Sequence, residues 1–397
     1  MTNVNSVDAL SGELPRELLQ SSLADFEHWA DCRATHLSLA PGRVNLMGDH
    51  TDYADGLTLP MGVDLFTVIV GAVDNVSEQR VRLSSEHATE TSLDLESLRP
   101  MGDWSDYVSG VLAGLQERGF AIPPMTIRVG GNLPLGSGLS SSASLEMGMA
   151  LLIEQVCGRE LDPYERVLLC QSAEQDYAGV PCGFMDQHAV GFAESGKALI
   201  LDCAAHQSRT ISVPSSLRIA VIDSGVRHAH SEGGYGERRM QVERATQITG
   251  APLGKCSLSD LDQIDDPLIK RRARHVVTDS ERVETLAQAL STDDSTLISQ
   301  IMTESHRSLK EDFEISCPEI DELVDLCGSC GALGARMTGG GFGGSVVALV
   351  AATDVESFSA ELGRQLPQQN ERAVLRWVLP ADGARTIALQ DISDQPT

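Results

Sequence analysis

A glycine- and serine-rich run, residues 130–144, constrains the fold of this chain more than any other segment. It connects a short β-rich stretch to an apolar helix predicted over residues 143–157, so strand, loop and helix follow one another directly. Unpaired amides and the positive end of the dipole at such a helix start attract anions. A flexible linker seldom continues straight into an apolar helix, and no Gly-Lys-Ser/Thr triplet marks a Walker A loop. We therefore predict a phosphate-binding loop of another type.

The remaining pattern mixes helices and strands irregularly, which favours an α+β layer architecture over a doubly wound parallel sheet. Apolar periodicity predicts helices over residues 13–32, 103–119, 162–178, 236–248 and 354–366, and a largely helical region over 257–316. β-Rich runs predict strands over 36–39, 61–73, 81–83, 126–129, 197–203 and 217–223, and a glycine-interrupted strand pair within 335–350. With 397 residues the chain exceeds the roughly 300 at which single cores stop growing. We expect two domains, 1–209 and 210–397, with the last strands able to return to the first domain.

The formal net charge of −27 argues against nucleic acids and anionic membranes as partners, because both bind positive patches. Nine scattered cysteines do not form the pattern of a disulfide framework. Cys327 and Cys330 have metal-ligand spacing, but no second Cys or His pair accompanies them, so we interpret them as buried apolar side chains. No segment is long and apolar enough to span a membrane or direct export. We expect a cytoplasmic monomer that acts on small molecules.

Residues 42–53, GRVNLMGDHTDY, concentrate side chains that can bind a polyhydroxylated molecule. Arg43 supplies a guanidinium, Asp49 and Asp52 supply carboxylates, and His50 supplies an imidazole. Apolar residues interleave with these polar ones, so a solvated loop explains the segment less well than a partly buried turn. We predict a ligand site here, in which Arg43 can also stabilise a developing negative charge.

A second glycine cluster, residues 339–344, contains the sequence G-x-G-x-x-G. A dinucleotide-binding fold requires that this motif follow a strand and open a helix. Here it precedes the β-rich run 345–350, so that interpretation fails on context. We predict instead a closely packed backbone hairpin that approaches a ligand.

Two carboxylates in residues 174–188 stand at positions suited to catalysis. Glu174 is predicted late on a helix, where the dipole disfavours a negative charge unless a cation compensates it. Asp186 follows a Gly/Pro turn and two apolar residues, a setting that suits a desolvated base. Each alone is more often an ordinary polar residue. Together with a phosphate loop and an arginine, they supply the groups that phosphoryl transfer requires.

Three segments resemble the motifs of the GHMP kinase superfamily and, within it, of the galactokinase family. Residues 42–53, extended to 55–61, resemble the family's sugar motif, 133–144 the superfamily ATP loop and 334–344 the third motif. The motifs occur in the family's order, and the similarity runs from about residue 36 to 345. The resemblance implies an N-terminal domain like ribosomal protein S5 domain 2, a ferredoxin-like C-terminal domain and an active site between them.

The resemblance also implies a reaction, the MgATP-dependent phosphorylation of α-D-galactose at its C1 hydroxyl, which gives galactose 1-phosphate and ADP. Asp186 would be the base facing that hydroxyl, with Arg43 beside it, and Ser142 and Glu174 would hold Mg²⁺. The other sugar contacts implied are Asp49, His50, Asp52, Gly183 and Tyr235. The ATP contacts implied are Trp104 and Tyr107 at the adenine and Leu135, Gly136, Ser137, Gly138, Leu139, Ser140, Ser141 and Ser142 along the phosphates.

Asp49 departs from the residue that most members of the family carry, which is Glu. The position is expected to face the C6 hydroxyl of the sugar. A carboxylate shortened by one methylene keeps its charge but shifts the hydrogen bond or admits a water molecule. This substitution puts the C6 specificity in question, and not the reaction.

Two alternatives stay open at this point. One is another GHMP kinase that acts on N-acetylgalactosamine, another sugar or mevalonate. The other is a non-catalytic galactose sensor built on the same fold. The resemblance implies altered ATP-loop serines in such sensors, whereas the serines at 140–142 are intact here.

Overall fold

The computed structural model describes residues 14–227, 231–369 and 372–393, which form three sheets flanked by helices. The α-helices are α1 Arg16–Ala30, α2 Ser105–Glu117, α3 Ser141–Cys157, α4 Pro163–Asp176, α5 Met185–Phe192, α6 Ser231–Thr249, α7 Pro267–Thr292, α8 Ser295–Ser308, α9 Pro318–Ser329, α10 Val355–Gln369 and α11 Gln390–Ser393. The strands are β1 His36–Asn45, β2 Leu57–Thr58, β3 Pro60–Val73, β4 Arg80–Ser85, β5 Ala88–Asp94, β6 Met125–Gly131, β7 Lys197–Asp202, β8 Gln207–Ser212, β9 Leu217–Arg227, β10 Gly334–Thr338, β11 Gly343–Ala351, β12 Val374–Val378 and β13 Arg385–Thr386. Within this described part no helix has the length and apolarity needed to cross a membrane.

A six-stranded sheet in the order β13-β1-β3-β6-β4-β5 organises the first half of the chain. Its strands pair antiparallel except β4 and β6, which are parallel. Helices α2 to α5 bury an apolar core against one face, and α1 packs on the other. Asp162 caps α4 by accepting hydrogen bonds from the amides of Tyr164 and Glu165, and Pro163 occupies the first helical position. Strand β13, from the end of the chain, pairs with β1.

The second half contains a four-stranded antiparallel sheet in the order β10-β11-β9-β12, with a core shared with α7, α9 and α10. A small sheet, β2-β7-β8, lies between the two halves. A further apolar cluster joins the end of β1 and the start of β3 to β9, β11, α7 and α8. This mixture of antiparallel sheets and packed helices confirms the predicted α+β class.

Strand β1 corrects one sequence-based expectation. The prediction ended it at residue 39, but it continues to Asn45 through a register shift between Pro41 and Gly42. The segment 42–53 therefore begins as a strand, and residues 42–51 are all buried, so the predicted partly buried turn is wrong for its first half. A bulge absorbs the Pro-Gly pair without ending the strand.

Apart from the twelve-residue helix α9, the elements that the sequence missed are short or lie at sheet edges. Strands β5 and β8 expose most of their residues, so they lack an alternating apolar pattern. Helix α5 has only eight residues, and α9 and β12 were also not predicted. Predicted helices match α1, α2, α3, α4, α6 and α10 to within a few residues, although residue 13 of the first prediction lies outside the described residues.

Candidate functional site

Two cavities adjoin where the three predicted motif segments meet. The first cavity has a volume of about 180 Å³ and lies between the end of β1, the start of α5, helix α6 and the β10–β11 turn. All seven residues predicted for the sugar lie in its wall. The residues lining it are Arg43, Asp49, His50, Asp52, Glu174, Val180, Cys182, Gly183, Met185, Asp186, Tyr235, Gly339 and Gly340.

Asp186 is fixed by three donors. It lies in the first turn of α5, where the helix dipole favours a negative charge. Arg43 binds it with a bidentate fork, from Nε to Oδ1 at 2.8 Å and from Nη2 to Oδ2 at 2.7 Å. Ser140 Oγ donates to Oδ2 at 2.5 Å, and Arg43 Nη1 donates to the Gly138 carbonyl at 2.7 Å. The carboxylate is thus held in one orientation between the sugar motif and the predicted phosphate loop.

The predicted phosphate loop presents its backbone more than its side chains. Ser137 and Leu139 are each 1 % exposed, and the Ser137 hydroxyl donates to the Pro134 carbonyl at 2.9 Å. Ser140 adopts a left-handed conformation with φ of 56°, which costs a non-glycine residue about 1–2 kcal/mol. That conformation turns its hydroxyl to Asp186, so amides rather than these side chains are available for a phosphate. Leu135, by contrast, is 59 % exposed.

Asp52 shares the wall of the first cavity with Asp186. Burial raises the pKa of Asp52 to about 6, and the negative charge of Asp186 contributes in the same direction. Gly183 packs directly against this carboxylate, because a Cβ built on Gly183 would lie 1.6 Å from Asp52 Oδ2. The glycine is therefore required by space at this position and not by its backbone conformation.

A cluster of aromatic side chains surrounds His50. Its ring centroid lies 5.1 Å from that of Tyr235 and 5.0 Å from that of Phe313, and Nδ1 is 2.8 Å from the Tyr53 hydroxyl. Burial lowers the pKa of His50 to about 3, so the imidazole is neutral near pH 7. Burial also raises the pKa of Tyr235 well above 10, so its hydroxyl keeps its proton and can donate or accept.

Asp49 lines the first cavity, but protein groups already bind its carboxylate. Oδ1 accepts from Asn45 Nδ2 at 3.1 Å and from the Gly339 amide at 3.2 Å. Oδ2 lies 2.7 Å from Arg336 Nη2 in an ion pair whose angle does not make a hydrogen bond. Sequence reasoning missed Arg336. The signal was a single charge within an otherwise small and apolar strand, since such a charge needs a buried counter-ion.

The second cavity has a volume of about 240 Å³ and a mostly apolar wall, which includes the predicted adenine contacts Trp104 and Tyr107. Trp104 Nε1 donates to the Thr89 carbonyl at 3.2 Å, which fixes the indole beside β5. Of the predicted phosphate loop, Leu135, Ser141 and Ser142 also line it. The other lining residues, which the sequence did not identify, are Thr67, Ser85, His87, Ala88, Val129, Gly130, Gly131, Leu133 and Leu145.

The two cavities meet at Ser142 and Glu174. The Ser142 hydroxyl donates to the Glu174 carboxylate, and Gln187 Nε2 donates to Glu174 Oε2 at 2.6 Å. Burial raises the pKa of Glu174, and the charge of Asp186 adds to this effect, so a cation beside the carboxylate would relieve it. Among the residues that the structure describes, no group of three or more His, Cys, Asp or Glu could hold a metal. One carboxylate and one hydroxyl beside open space fit Mg²⁺, which takes its remaining ligands from phosphates and water.

The β10–β11 hairpin joins the two predicted binding segments. Thr338 Oγ1 donates to the Asn45 carbonyl at 2.9 Å, and Ser345 Oγ donates to the Ser137 carbonyl at 2.6 Å. Gly341 has a φ of 85°, and a Cβ there would lie 2.8 Å from the Ile315 backbone. The strands pair antiparallel, which confirms the predicted hairpin and excludes the dinucleotide-binding interpretation.

Comparison with known proteins finds three family models along the chain. The GHMP kinases N terminal domain matches residues 106–194, and the GHMP kinases C terminal model matches 286–368. The galactokinase galactose-binding signature matches residues 25–73, which include the sugar motif and the start of the first cavity.

Among curated relatives, the galactokinase of Thermococcus kodakarensis is 39% identical over 325 residues, 81% of this chain and 91% of its own length. The galactokinase of Streptomyces coelicolor is 39% identical over 368 residues, which cover 88% of this chain and 93% of that protein. Among solved structures, Lactococcus lactis galactokinase complexed with galactose has a TM-score of 0.86 at 30% identity, covering 93% of this chain and 100% of that one.

Proposed function

The chain belongs to the galactokinase family of GHMP kinases, and from this premise we propose that the first cavity binds α-D-galactose and the second binds ATP. The enzyme is an ATP-dependent sugar kinase that phosphorylates the C1 hydroxyl of galactose and produces galactose 1-phosphate and ADP. The observation that carries the assignment of the site is the Arg43–Asp186 fork, which faces the first cavity beside the Ser142–Glu174 contact.

Asp186 and Arg43 have different roles in the proposed reaction. A sugar hydroxyl holds its proton tightly at neutral pH, so an early attack requires a carboxylate that accepts the proton. In a loose transition state the proton leaves late, and Asp186 then chiefly orients the hydroxyl. Arg43 stabilises charge in both cases, either beside the hydroxyl or on the transferred group.

Selectivity at the sugar rests on residues that pair with particular hydroxyls. We assign Asp52 and Tyr235 to the C4 hydroxyl, which distinguishes galactose from glucose, because buried polar groups left without a partner are costly. A coupled ADP-release assay over galactose, glucose, N-acetylgalactosamine and mevalonate tests this. Turnover of galactose far above the other acceptors is the expected result, and preference for another acceptor would contradict it. Cytoplasmic location and a monomeric state stay predictions.

Mg²⁺ would be held by Ser142 and Glu174, together with phosphate oxygens of ATP. When bound, the ion neutralises charge on the transferred and leaving phosphates. Gln187 supports this arrangement, because its amide donates to Glu174 at 2.6 Å and to the buried Glu146 at 3.0 Å. The amide therefore holds the Glu174 carboxylate toward Ser142 and the second cavity.

We expect Glu174→Gln to weaken metal binding, because an amide offers Mg²⁺ no negative charge. The concentration of Mg²⁺ that gives half-maximal velocity should rise about tenfold or more, and kcat should fall about 10²-fold. Electron paramagnetic resonance of Mn²⁺ with the ATP-bound protein measures metal affinity without turnover. Glu160→Gln, at an exposed carboxylate, is the control and should behave as the native protein does. Native Mn²⁺ affinity in Glu174→Gln would refute the metal assignment.

Galactose binding should release protons near pH 6. The pKa of Asp52 is about 6 without ligand, and hydroxyl donors favour its ionised form, so binding lowers that pKa. Protonated Asp52 thus loses its proton on binding near pH 6, and the effect vanishes by about pH 8, where the carboxylate is already ionised. Calorimetric titrations at both pH values in buffers of different ionisation enthalpy measure the protons exchanged. Asp52→Asn should abolish the release, and proton uptake by the native protein would contradict the assignment.

A further inference from the structure

Arg336 is a fully buried charge outside the reaction described above. It lies on β10, and its Nη1 donates to the Leu46 carbonyl at 3.1 Å. Its Nη2 lies 2.7 Å from Asp49 Oδ2 and 3.7 Å from Asp279 Oδ2, while its Nε makes no hydrogen bond. Arg282, which is partly exposed, lies 3.2 Å from Asp279 Oδ1, so two positive and two negative charges form one group with three buried members.

Asp49 is the member of this group that reaches the first cavity. Its Oδ1 accepts from Asn45 and Gly339, but its buried Oδ2 accepts no hydrogen bond from the protein. Oδ2 is closed off from solvent and lies 2.7 Å from Arg336 Nη2, so the guanidinium is its partner. Arg336 therefore fixes one side of the carboxylate, while Asp49 lines the first cavity beside Gly339.

The charge of Arg336 favours the ionised form of Asp49. Burial raises the pKa of Asp49, and the guanidinium of Arg336 is the strongest influence that opposes the rise. His275, whose pKa burial lowers, donates Nε2–H to the Asp49 backbone carbonyl at 3.1 Å and adds no charge near pH 7. The titratable and charged groups around Asp49 are Arg43, His50, Asp52, His275, Asp279 and Arg336.

We propose that Arg336 is a specificity-determining positioning residue, which touches no substrate but keeps the Asp49 carboxylate ionised and in place to accept from a hydroxyl of the sugar. The proposal rests on the proposed function and on the placement of Asp49 at the C6 hydroxyl of galactose, which the family resemblance implies. A sugar without a hydroxyl at C6 offers Asp49 no donor.

The test compares galactose with 6-deoxy-D-galactose in calorimetric titrations from pH 6 to 9. The native protein should bind galactose about tenfold more tightly than the deoxy sugar. Arg336→Met should weaken galactose binding about tenfold at pH 7 and add a pH dependence that the native protein lacks above pH 8, where Asp52 no longer titrates. The dissociation constant of this variant should continue to fall as pH rises, because only the ionised form of Asp49 accepts the hydrogen bond. Arg336→Lys, which keeps the charge, should restore most of the affinity and the native pH profile.

The double variant Arg336→Met with Asp49→Asn separates positioning from folding. Removing both charges should restore the melting temperature that Arg336→Met lowers, but galactose binding should stay about tenfold weaker, because a neutral amide accepts a weaker hydrogen bond. If the native protein binds both sugars equally, the placement of Asp49 at the C6 hydroxyl fails, and this proposal with it. If the native protein discriminates but Arg336→Met binds galactose with native affinity and the native pH profile, the role of Arg336 alone is refuted.

Discussion

Asp186→Ala should abolish turnover while ATP still binds. We expect kcat to fall by about 10³–10⁴-fold, because the variant lacks the carboxylate that we propose accepts the proton or orients the sugar hydroxyl. ATP affinity should stay within about twofold of native, since neither the second cavity nor the amides of residues 136–142 change. Single-turnover ADP release measures the chemistry, and calorimetric titration with a non-hydrolysable ATP analogue measures binding. Native-like kcat would remove Asp186 from the reaction.

Asp186→Asn is the matched control, because it keeps the shape of the side chain and removes its charge. The amide cannot accept both donors of the Arg43 fork, and Arg43 is only 6 % exposed. Both variants should therefore lose about 3 kcal/mol of stability through an uncompensated buried charge. If Asp186→Asn keeps substantially more activity than Asp186→Ala, orientation of the hydroxyl outweighs proton transfer. Equal loss in the two variants supports the proton acceptor.

Gly183→Ala should remove galactose binding and spare ATP binding. The added Cβ would lie 1.6 Å from Asp52 Oδ2 and 2.4 Å from its Cγ, so the Asp52 carboxylate must leave its place in the first cavity. We expect KM for galactose to rise about 10²-fold, which corresponds to about 2.7 kcal/mol and matches a buried charged hydrogen bond left unmade. KM for ATP should change less than about twofold. Steady-state kinetics with each substrate varied in turn measures both constants.

Gly236→Ala provides the control for this substitution. A Cβ on Gly236 meets no atom within 4 Å, and the residue lies within α6. Replacing a helical glycine by alanine is expected to stabilise by about 0.5–1 kcal/mol, with KM for galactose unchanged. If Gly183→Ala binds galactose as tightly as Gly236→Ala does, the close contact with Asp52 is not needed for the sugar.

Local pattern predicted the fold where elements are long and apolar on one side. Helix α3 is buried over most of its length, and the apolar run after the predicted phosphate loop allowed this helix to be predicted from the sequence. Strands β5 and β8 were missed because most of their side chains face solvent, and each pairs only with the preceding strand at the edge of its sheet. The extension of β1 past Pro41 was missed because a bulge compensates for residues that usually end a strand.

The site was predictable where its residues are neighbours in sequence. The segment 42–53 and the serines at 140–142 carry their polar groups within a few residues, the local sequence singled out Asp186 and Glu174, and the resemblance added Tyr235. The hydrogen-bond partner of each group was not predictable. The Ser140 hydroxyl, for example, donates to Asp186 from a left-handed backbone conformation that the sequence does not indicate. Arg336 was missed because its partner Asp49 comes from the other half of the chain. Contacts between distant segments depend on how the two halves pack, which local pattern does not determine.

The pairing of β13 with β1 also sets an order of events during synthesis. Residues 385–386 close the edge of the first sheet, so most of the chain must leave the ribosome before β1 finds this partner. Until then the nascent protein carries an open strand edge, made of the same strand that ends in Arg43 and Asn45. An open strand edge can pair with a strand of another chain. We therefore expect the risk of aggregation to be higher while the rest of the chain is being synthesised. The residues that line the two proposed substrate cavities all lie between 43 and 340, so the chain that builds both cavities is made before this edge closes.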